Sequence, residues 1–272
     1  MTILRLAADL CTLPQPVMFV PTMGGLHEGH LSLIRAAKRN GGTVVASVFV
    51  NPLQFGDRAD FDTYQRDLDR DGKLAESAGC DVIFAPSVEQ MYPGGIDCTR
   101  VHVPQVSERW EGEHRPGHFD AVATVVAALF NMVRPMKALF GEKDWQQCVV
   151  VSRMVRDLGY PIELRLEQTV REPHGLAMSS RNERLSGDAR RRAAILCTAI
   201  RKAADEFRLG GEPRAAEKNT STILLQGGFE SVDYVAIVEE DTLEPLDGPT
   251  GQDRVIAAAR IEGVRLIDNV RV

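Results

Sequence analysis

The sequence predicts an α/β fold, a Rossmann-like doubly wound parallel sheet followed by a smaller C-terminal α+β domain. Three observations carry this prediction. Short apolar strand patterns alternate with amphipathic helical patterns over residues 1–170, which is typical of a parallel sheet covered by helices. A strand–loop–helix motif with two histidines follows the first apolar strand pattern. Over residues 171–272 the order changes to helices followed by strands, so we place a domain boundary at residue 170.

The elements of the N-terminal part follow one another in regular order. Strands are predicted at residues 17–20, 44–50, 82–85, 138–140 and 162–166. Helices are predicted at residues 29–39, 63–78, 119–133 and 145–158. Ligands of such sheets bind beyond the carboxyl ends of the strands, so the loops after the strands are the candidate site.

The C-terminal part begins with a loop over residues 171–185. One helix is predicted from Ser186 to Phe207, and a second helical pattern reaches Leu225. Strands are predicted at residues 232–238, 255–261 and 264–267. Glu262 and Gly263 between the last two strands indicate a two-residue hairpin turn.

Composition excludes several classes of function. The 272 residues are 26% charged and 44% hydrophobic, which is ordinary for a soluble globular protein. A net charge of −6 leaves no broad basic surface, so we expect no nucleic-acid partner. The arginines at residues 190–192 lie beside Asp188 and indicate a solvated helix face. No apolar run reaches membrane length, so we expect neither export nor membrane association.

The cysteines indicate a reducing compartment. There are five of them, scattered and without a Cys-x-x-Cys pair, which argues against a disulfide framework and favours the cytoplasm. Cys148 and Cys197 fall in apolar helical patterns, so we expect both to be buried.

The most informative motif is the run at residues 20–30, Val-Pro-Thr-Met-Gly-Gly-Leu-His-Glu-Gly-His. Such a loop is expected to aim free backbone N–H groups and the positive end of a helix dipole at a phosphate. His27 and His30 are three residues apart and can point the same way, and Gly29 allows close approach. A surface pair or half of a metal site is the alternative. A metal site needs further ligands, and no other Cys or His cluster has suitable spacing, so we assign no metal-ligating residue.

Three further polar segments follow predicted strands or the domain boundary: residues 51–56, 141–147 and 178–181. The first offers the neutral amides of Asn51 and Gln54, although Asn51-Pro52 could also be only a turn. In the second, Lys143 could neutralise phosphate and Asp144 could accept from ribose, or the string could be an ordinary helix cap. The third offers two hydroxyls and a fixed cation, or is a flexible surface loop.

These strings, in this order, resemble the pantoate–β-alanine ligase family, part of the wider nucleotidyltransferase group that includes class I aminoacyl-tRNA synthetases. The resemblance also covers Arg-Pro-Gly-His-Phe at residues 115–119 and extends over most of the chain. It implies an ATP site formed by Met23, Gly24, Gly25, Leu26, His27, Glu28, Gly29, His30, Gly141, Glu142, Lys143, Asp144, Val170, Met178, Ser179, Ser180 and Arg181.

The resemblance also implies roles for individual residues. The catalytic set would be His30 as acid or proton donor, with His27, Lys143 and Arg181 on the phosphates. Gln54 would contact both pantoate and β-alanine. The full substrate-binding set would be Gln54, Gln147, Asn51, Tyr64 and Arg115.

The implied reaction uses Mg²⁺-bound ATP as a substrate to form a pantoyl adenylate, which β-alanine converts to pantothenate and AMP. The family also implies a homodimer with a C-terminal lid. Two alternatives stay open: another nucleotidyltransferase acting on a phosphorylated substrate, or a nucleotide-binding module without activity. The first would need a cationic cradle where Gln54 and Gln147 are neutral, and the retained histidines, Lys143 and Arg181 argue against the second.

Overall fold

The computed structural model describes residues 1–56, 61–62, 64 and 66–272. Its larger sheet has six strands, all parallel, in the order β1-β4-β3-β2-β5-β6. The strands are β1 Thr2–Leu4, β2 Val17–Thr22, β3 Thr43–Val48, β4 Val82–Phe84, β5 Lys137–Gly141 and β6 Glu163–Glu167. The central strands are apolar and fully buried on both faces, which explains their continuous hydrophobic runs. The predicted parallel sheet is confirmed.

Helices cover both faces of this sheet. They are α1 Ala7–Leu10, α2 Glu28–Arg39, α3 Leu68–Ser77, α4 Val88–Met91, α5 Glu111–His114, α6 His118–Val133 and α7 Trp145–Asp157. The apolar sides of α2 and α3 form one core cluster with the sheet, and those of α6 and α7 form another on the opposite face. This layering places the ends of β2, β3, β5 and β6 at one open edge.

The predicted helix at residues 63–78 is shorter in the structure. Asp67 caps α3, because its carboxylate accepts the Arg70 N–H at 2.9 Å, and the helix begins at Leu68. Residues 63 and 65 of the prediction lie outside the described residues. The short elements β1, α1, α4 and α5 were not predicted, since three or four residues carry too little periodicity.

The C-terminal part has helices α8 Gly187–Arg192, α9 Ile195–Arg208 and α10 Pro213–Gln226. The single helix predicted from Ser186 to Phe207 is therefore wrong. At the break the backbone adopts the 3₁₀ pattern, in which an N–H donates to the carbonyl three residues earlier. The Ala194 N–H donates in this way to Arg191 O at 3.3 Å. Arg191 and Arg192 of α8 pair with Asp188 at the surface, as predicted, whereas Arg190 pairs with Glu172, whose side chain is mostly buried.

A three-stranded antiparallel sheet completes the C-terminal part, with β7 Ser231–Glu239, β8 Asp253–Ile261 and β9 Val264–Arg271 in that order. The hairpin turn is confirmed. Glu262 and Gly263 have φ of 49° and 70°, the left-handed pair that a tight hairpin needs.

The two parts of the chain share apolar and polar contacts. Ala236, Val238 and Ile256 of the small sheet join the core cluster of α6 and α7. Trp145 Nε1 donates to Glu240 O at 3.0 Å across the junction. Cys148 and Cys197 are buried, as predicted. Within the described ranges, no helix combines the length and apolar character needed to cross a bilayer.

Candidate active site

One cleft at the carboxyl edge of the parallel sheet collects most of the predicted site residues. The predicted residues that line it are Met23, His27, Gly29, His30, Gln54, Tyr64, Arg115, Gly141, Lys143, Asp144, Gln147, Val170, Met178, Ser179, Ser180 and Arg181. Segments more than 150 positions apart along the chain therefore meet at one site.

The glycine loop before α2 is held from inside the protein. Asp71 of α3 is 1% exposed, and its carboxylate accepts the Gly25 N–H at 2.9 Å and the Leu26 N–H at 2.8 Å. Gly24 N–H donates to Thr22 Oγ1 at 3.2 Å. The expectation that these amides are free for phosphate is therefore wrong. Asp71 escaped the sequence analysis, because a helical aspartate 45 residues beyond Leu26 carries no local signal.

The two histidines present neutral N–H donors to the cleft. His27 Nδ1 accepts the Gly29 N–H at 3.1 Å, and His30 Nδ1 accepts the His27 N–H at 3.4 Å. In a neutral ring whose Nδ1 accepts, the proton is on Nε2. Burial, with the charge of Lys143, lowers the pKa of His27 to about 4. Burial and the neighbouring His27 lower the pKa of His30 to about 3.

Besides Arg115, two separate segments bring positive charge into the cleft. Lys143 lies in the 3₁₀ turn Glu142–Asp144 after β5, and its ammonium is 3.4 Å from the Asp144 carboxylate. Partial burial raises the pKa of Asp144, but the charges of Lys143 and Arg181 outweigh this and hold the pKa below its usual value. Arg181 lies in the turn Ser180–Arg184 of the C-terminal part, where Ser179 Oγ accepts the Arg181 N–H at 3.3 Å.

The C-terminal part also holds the lysine turn directly. Asn269 of β9 donates its Nδ2 hydrogens to the carbonyl oxygens of Glu142 and Lys143 at 2.8 and 2.9 Å. The position of Lys143 therefore depends on both parts of the chain.

The glutamine segment lies on the other side of the cleft. Gln54 lines the cleft, whereas Asn51 is fully buried behind it and donates to Gln54 Oε1 at 2.9 Å. The main-chain oxygen of Gln54 is held by Arg115 Nη2 at 3.2 Å and by His118 Nδ1 at 3.3 Å. Burial and the charge of Arg115 lower the pKa of His118 to about 3, so this ring is neutral as well.

His118 is a site residue that the sequence analysis did not assign. It lines the cleft, and it stands in the string Arg-Pro-Gly-His-Phe whose arginine was assigned. The sequence did offer a signal, because His118 lies only three positions after Arg115, which was assigned to the site. The Arg115 Nη1 to His118 Nε2 distance is 3.1 Å.

An apolar floor beside Gln54 was also missed, because its residues read as an ordinary buried helix face. It consists of Phe49, Val122, Val125, Val126, Leu129 and Phe140. These side chains come from α6 and from the ends of two strands. The cleft therefore joins a polar, cationic end to an apolar end.

Six predicted residues do not line the cleft. Gly24, Gly25 and Leu26 are buried beneath the histidine loop, and Glu28 points outward to pair with Arg35. The remaining two are Asn51, behind Gln54, and Glu142, which lies 3.8 Å from Arg254. We keep a supporting role for the glycines and Asn51, since they shape residues that do reach the cleft.

The fold and the site together define a class of protein. A doubly wound sheet with neutral imidazole donors and the cations Arg115, Lys143 and Arg181 in one cleft at its carboxyl edge is typical of a nucleotide-dependent α/β enzyme.

Comparison with known proteins identifies the family within that class. A family model described as pantoate-beta-alanine ligase matches residues 4–271. A relative named pantothenate synthetase from Cereibacter sphaeroides is 49% identical over 258 residues, which cover 95% of this chain and 92% of the relative. A pantothenate synthetase from Thermus thermophilus is 50% identical over 257 residues, which cover 94% of this chain and 93% of the relative.

Solved structures agree with this family. A crystal structure of pantothenate synthetase from Thermus thermophilus matches with a TM-score of 0.94 and 49% identity over 99% of both chains. Pantoate-beta-alanine ligase from Francisella tularensis, solved with beta-gamma ATP and beta-alanine, matches with a TM-score of 0.80 and 31% identity over 100% of this chain and 97% of the other. The chain belongs to the pantoate–β-alanine ligase family, and the predicted family and fold class are confirmed.

Proposed function

We propose that this chain condenses (R)-pantoate with β-alanine to pantothenate through a pantoyl adenylate, with release of AMP and pyrophosphate. The observation that carries the proposal is the two-ended cleft. Its polar end combines His27, His30, Lys143 and Arg181, and its other end combines a neutral amide with an apolar floor. An acid with a polar head and methyl groups suits the second end, and a triphosphate suits the first.

In the first step a carboxylate oxygen of pantoate attacks the α-phosphorus of ATP. The new bond joins that oxygen to phosphorus, and the bond to the β-phosphate oxygen breaks to release pyrophosphate. Lys143 and Arg181 would offset the charge on the leaving group, and His27 and His30 would donate Nε2–H bonds to phosphate oxygens. A bound triphosphate would raise the pKa of both rings.

Mg²⁺ would enter as part of the nucleotide substrate. No group of three or more His, Cys, Asp or Glu side chains among the described residues is arranged to hold a resident metal ion. Asp144 is a carboxylate of the cleft with a 47% exposed side chain, which fits an ion that arrives with phosphate ligands and its own waters.

In the second step the amine of β-alanine attacks the acyl carbon of the adenylate. The bond between that carbon and the phosphate oxygen breaks, and AMP leaves with the electron pair of that bond. The two protons that the ammonium of β-alanine must lose to become an amide N–H pass to solvent. Alignment and exclusion of water are the main tasks of the protein here. The apolar floor, which includes Val122, Val125 and Leu129, would keep water from the mixed anhydride.

Residues 171–272 would act as the lid, with the domain boundary at residue 170. Ser179, Ser180 and Arg181 line the cleft from this side, and Val170 lines it at the boundary itself. The Asn269 bonds to the lysine turn support a docked lid that completes the nucleotide site.

The direct test is an AMP-release assay in which ATP, pantoate and β-alanine are omitted in turn. We expect AMP only when all three are present, and pantoate-dependent pyrophosphate exchange without β-alanine. Formation of ADP, or AMP release that does not depend on pantoate, would contradict the proposal.

We also infer a homodimer formed through the outer edge of β6. No described strand pairs with that edge. Glu163 N–H donates inward to Met136 O at 3.0 Å, so the backbone groups of Leu164 face outward. Antiparallel pairing centred on Leu164 would place Glu163 opposite Arg165 of the partner subunit, twice. This charge pattern is self-complementary.

The dimer is testable with two charge reversals. Glu163→Arg and Arg165→Glu should each raise the dimer dissociation constant at least tenfold, and an equimolar mixture should dimerise again because opposite charges then meet. Sedimentation equilibrium would measure this. A monomeric wild type, or two variants that dimerise as it does, would overturn the inference.

The cytoplasm is the compartment we propose. Its support is chemical, since all five cysteines are free thiols and three of them are buried.

A further inference from the structure

Two neighbouring residues of β9, Asp268 and Asn269, bind the two segments that carry the cations Lys143 and Arg181. The two residues are 3% and 5% exposed. Successive side chains of a strand point to opposite faces, so two neighbours can reach two different segments. The strand is a firm support, because β9 pairs with β8 along its whole length.

Asn269 uses both hydrogens of its side-chain amide on the lysine turn. Its Nδ2 donates to the carbonyl oxygens of Glu142 and Lys143 at 2.8 and 2.9 Å. Its Oδ1 accepts from Arg254 Nη1 at 2.6 Å. A guanidinium can only donate and a backbone carbonyl can only accept, so a single orientation of the amide satisfies all three partners.

Arg254 is in turn held by buried groups. It is 3% exposed, and its Nε and Nη2 donate to Glu240 Oε1 at 3.1 and 2.9 Å. Its guanidinium carbon lies 3.5 Å from the ring centre of Trp145, a cation–π contact. The contacts from Glu240 through Arg254 to Asn269 therefore lead to the main chain of Lys143.

Asp268 holds the other segment. Its carboxylate accepts from Arg171 Nη1 and Nη2 at 2.6 and 2.9 Å, a bidentate ion pair. Arg171 opens a short hairpin, which is closed by a hydrogen bond from Met178 N–H to Val170 O at 3.0 Å. Arg181 follows Met178 by three residues and lines the cleft.

We propose that Asp268 and Asn269 are positioning residues that place Arg181 and Lys143 around the triphosphate. The inference rests on the proposed function and deepens it. Neither residue of this pair lines the cleft, so each acts through the segment that it holds. Rigid placement matters because a preorganised cation stabilises a developing charge without having to move during the reaction.

A double-mutant cycle separates positioning from a general loss of stability. Asn269→Ala removes both bonds to the lysine turn, so kcat for pyrophosphate exchange should fall about 10- to 100-fold, the scale for a misplaced catalytic group. In the Lys143→Ala background the same substitution should change kcat by less than about twofold, because the group that it displaces is already absent. The KM for pantoate should stay within about twofold in both backgrounds.

A second cycle tests the other residue of the pair. Arg171→Lys keeps a positive charge beside Asp268 but loses the bidentate geometry, so kcat should fall about three- to tenfold. In the Arg181→Ala background this loss should shrink to less than about twofold. Asn219→Ala, at an exposed position of α10, is the control for both cycles and should retain wild-type exchange.

An unchanged kcat in folded Asn269→Ala, or an equal loss with and without Lys143→Ala, would overturn the role of Asn269. The same two results for Arg171→Lys, with and without Arg181→Ala, would overturn the role of Asp268. If Asn269→Ala does not fold, Asn269→Asp replaces it, since it keeps the acceptor for Arg254 and loses both donors.

A wild-type protein without pantoate-dependent exchange would contradict the proposed function. The same two cycles, measured as the dissociation constant of ATP by calorimetry, would then decide this inference. It predicts that each substitution weakens ATP binding only while the cation that it positions is present, and equal weakening in both backgrounds would overturn it.

Discussion

The two ends of the cleft are built in different ways. We call the end with His27, His30, Lys143 and Arg181 the phosphate end, and the end with Gln54 and the apolar floor the acid end. At the phosphate end, His27, His30 and Lys143 are partly exposed, and each is held by one or two contacts. At the acid end, Asn51 is fully buried and its side chain makes four hydrogen bonds. The difference teaches that charge is the main requirement at the first end and orientation at the second. A triphosphate offers many equivalent oxygens, whereas a small acid must be placed with its carboxylate at one phosphorus atom.

The largest effect is expected from loss of charge at the phosphate end. Lys143→Ala should lower kcat for pyrophosphate exchange by about 10²- to 10⁴-fold, because a preorganised cation facing the leaving group is removed. Lys202→Ala on the exposed side of α9 is the control and should retain wild-type exchange. Exchange within threefold of wild type in Lys143→Ala would show that charge is not the main requirement there.

A second prediction tests whether His30 acts as a neutral hydrogen-bond donor or as an acid that transfers a proton. His30→Ala should lower the exchange rate by about 10²- to 10³-fold, the usual cost of one lost donor to developing charge. His30→Gln should recover about tenfold of this, because its Nε2–H can reach a similar position. If the glutamine variant is as slow as the alanine variant over pH 6 to 9, a proton transfer from His30 is required instead.

At the acid end, a substitution that changes the polarity of a side chain but not its shape should weaken the binding of pantoate and leave the binding of ATP unchanged. Val125→Thr places a hydroxyl in the apolar floor, where a buried unpaired hydroxyl costs about 1–3 kcal/mol. The KM for pantoate should rise about 5- to 50-fold, and the KM for ATP should not change. A parallel rise in both constants would mean that the two ends do not act separately.

The sequence predicted most of the large elements and which loops meet. The parallel strands, α2, α6, α7 and the Glu262–Gly263 hairpin carry strong local periodicity or turn chemistry. It could not predict that Asp71 accepts hydrogen bonds from the N–H groups of the glycine loop, or that Asn51 donates to the side-chain oxygen of Gln54. Both contacts depend on atoms that only the packing of the chain brings together. The break between α8 and α9 was missed since its alanines are good helix formers.

The last expected effect concerns stability rather than activity, and it is a pH dependence shared by both ends. His27, His30 and His118 have pKa values lowered to about 4, 3 and 3, so unfolding in mild acid takes up protons that the folded protein does not bind. The free energy of unfolding should fall as pH drops from about 6.5 toward 4.5. Each proton contributes at most about 1.4 kcal/mol per pH unit.

Urea unfolding at a series of pH values measures this slope. His118→Asn removes the titrating ring at the acid end, so it should reduce the slope of unfolding free energy against pH. A stability that is constant between pH 6.5 and pH 5 would show that these rings are not held neutral.

The central claim is that the acid end delivers the pantoate carboxylate to the α-phosphorus held at the phosphate end. It is tested most directly with pantoate labelled by ¹⁸O in both carboxylate oxygens, followed by mass analysis of the products. Attack at the α-phosphorus predicts one ¹⁸O atom in AMP and none in pyrophosphate, because the bridging oxygen stays with phosphorus when the amine attacks. Unlabelled AMP, or label in released inorganic phosphate, would contradict the account.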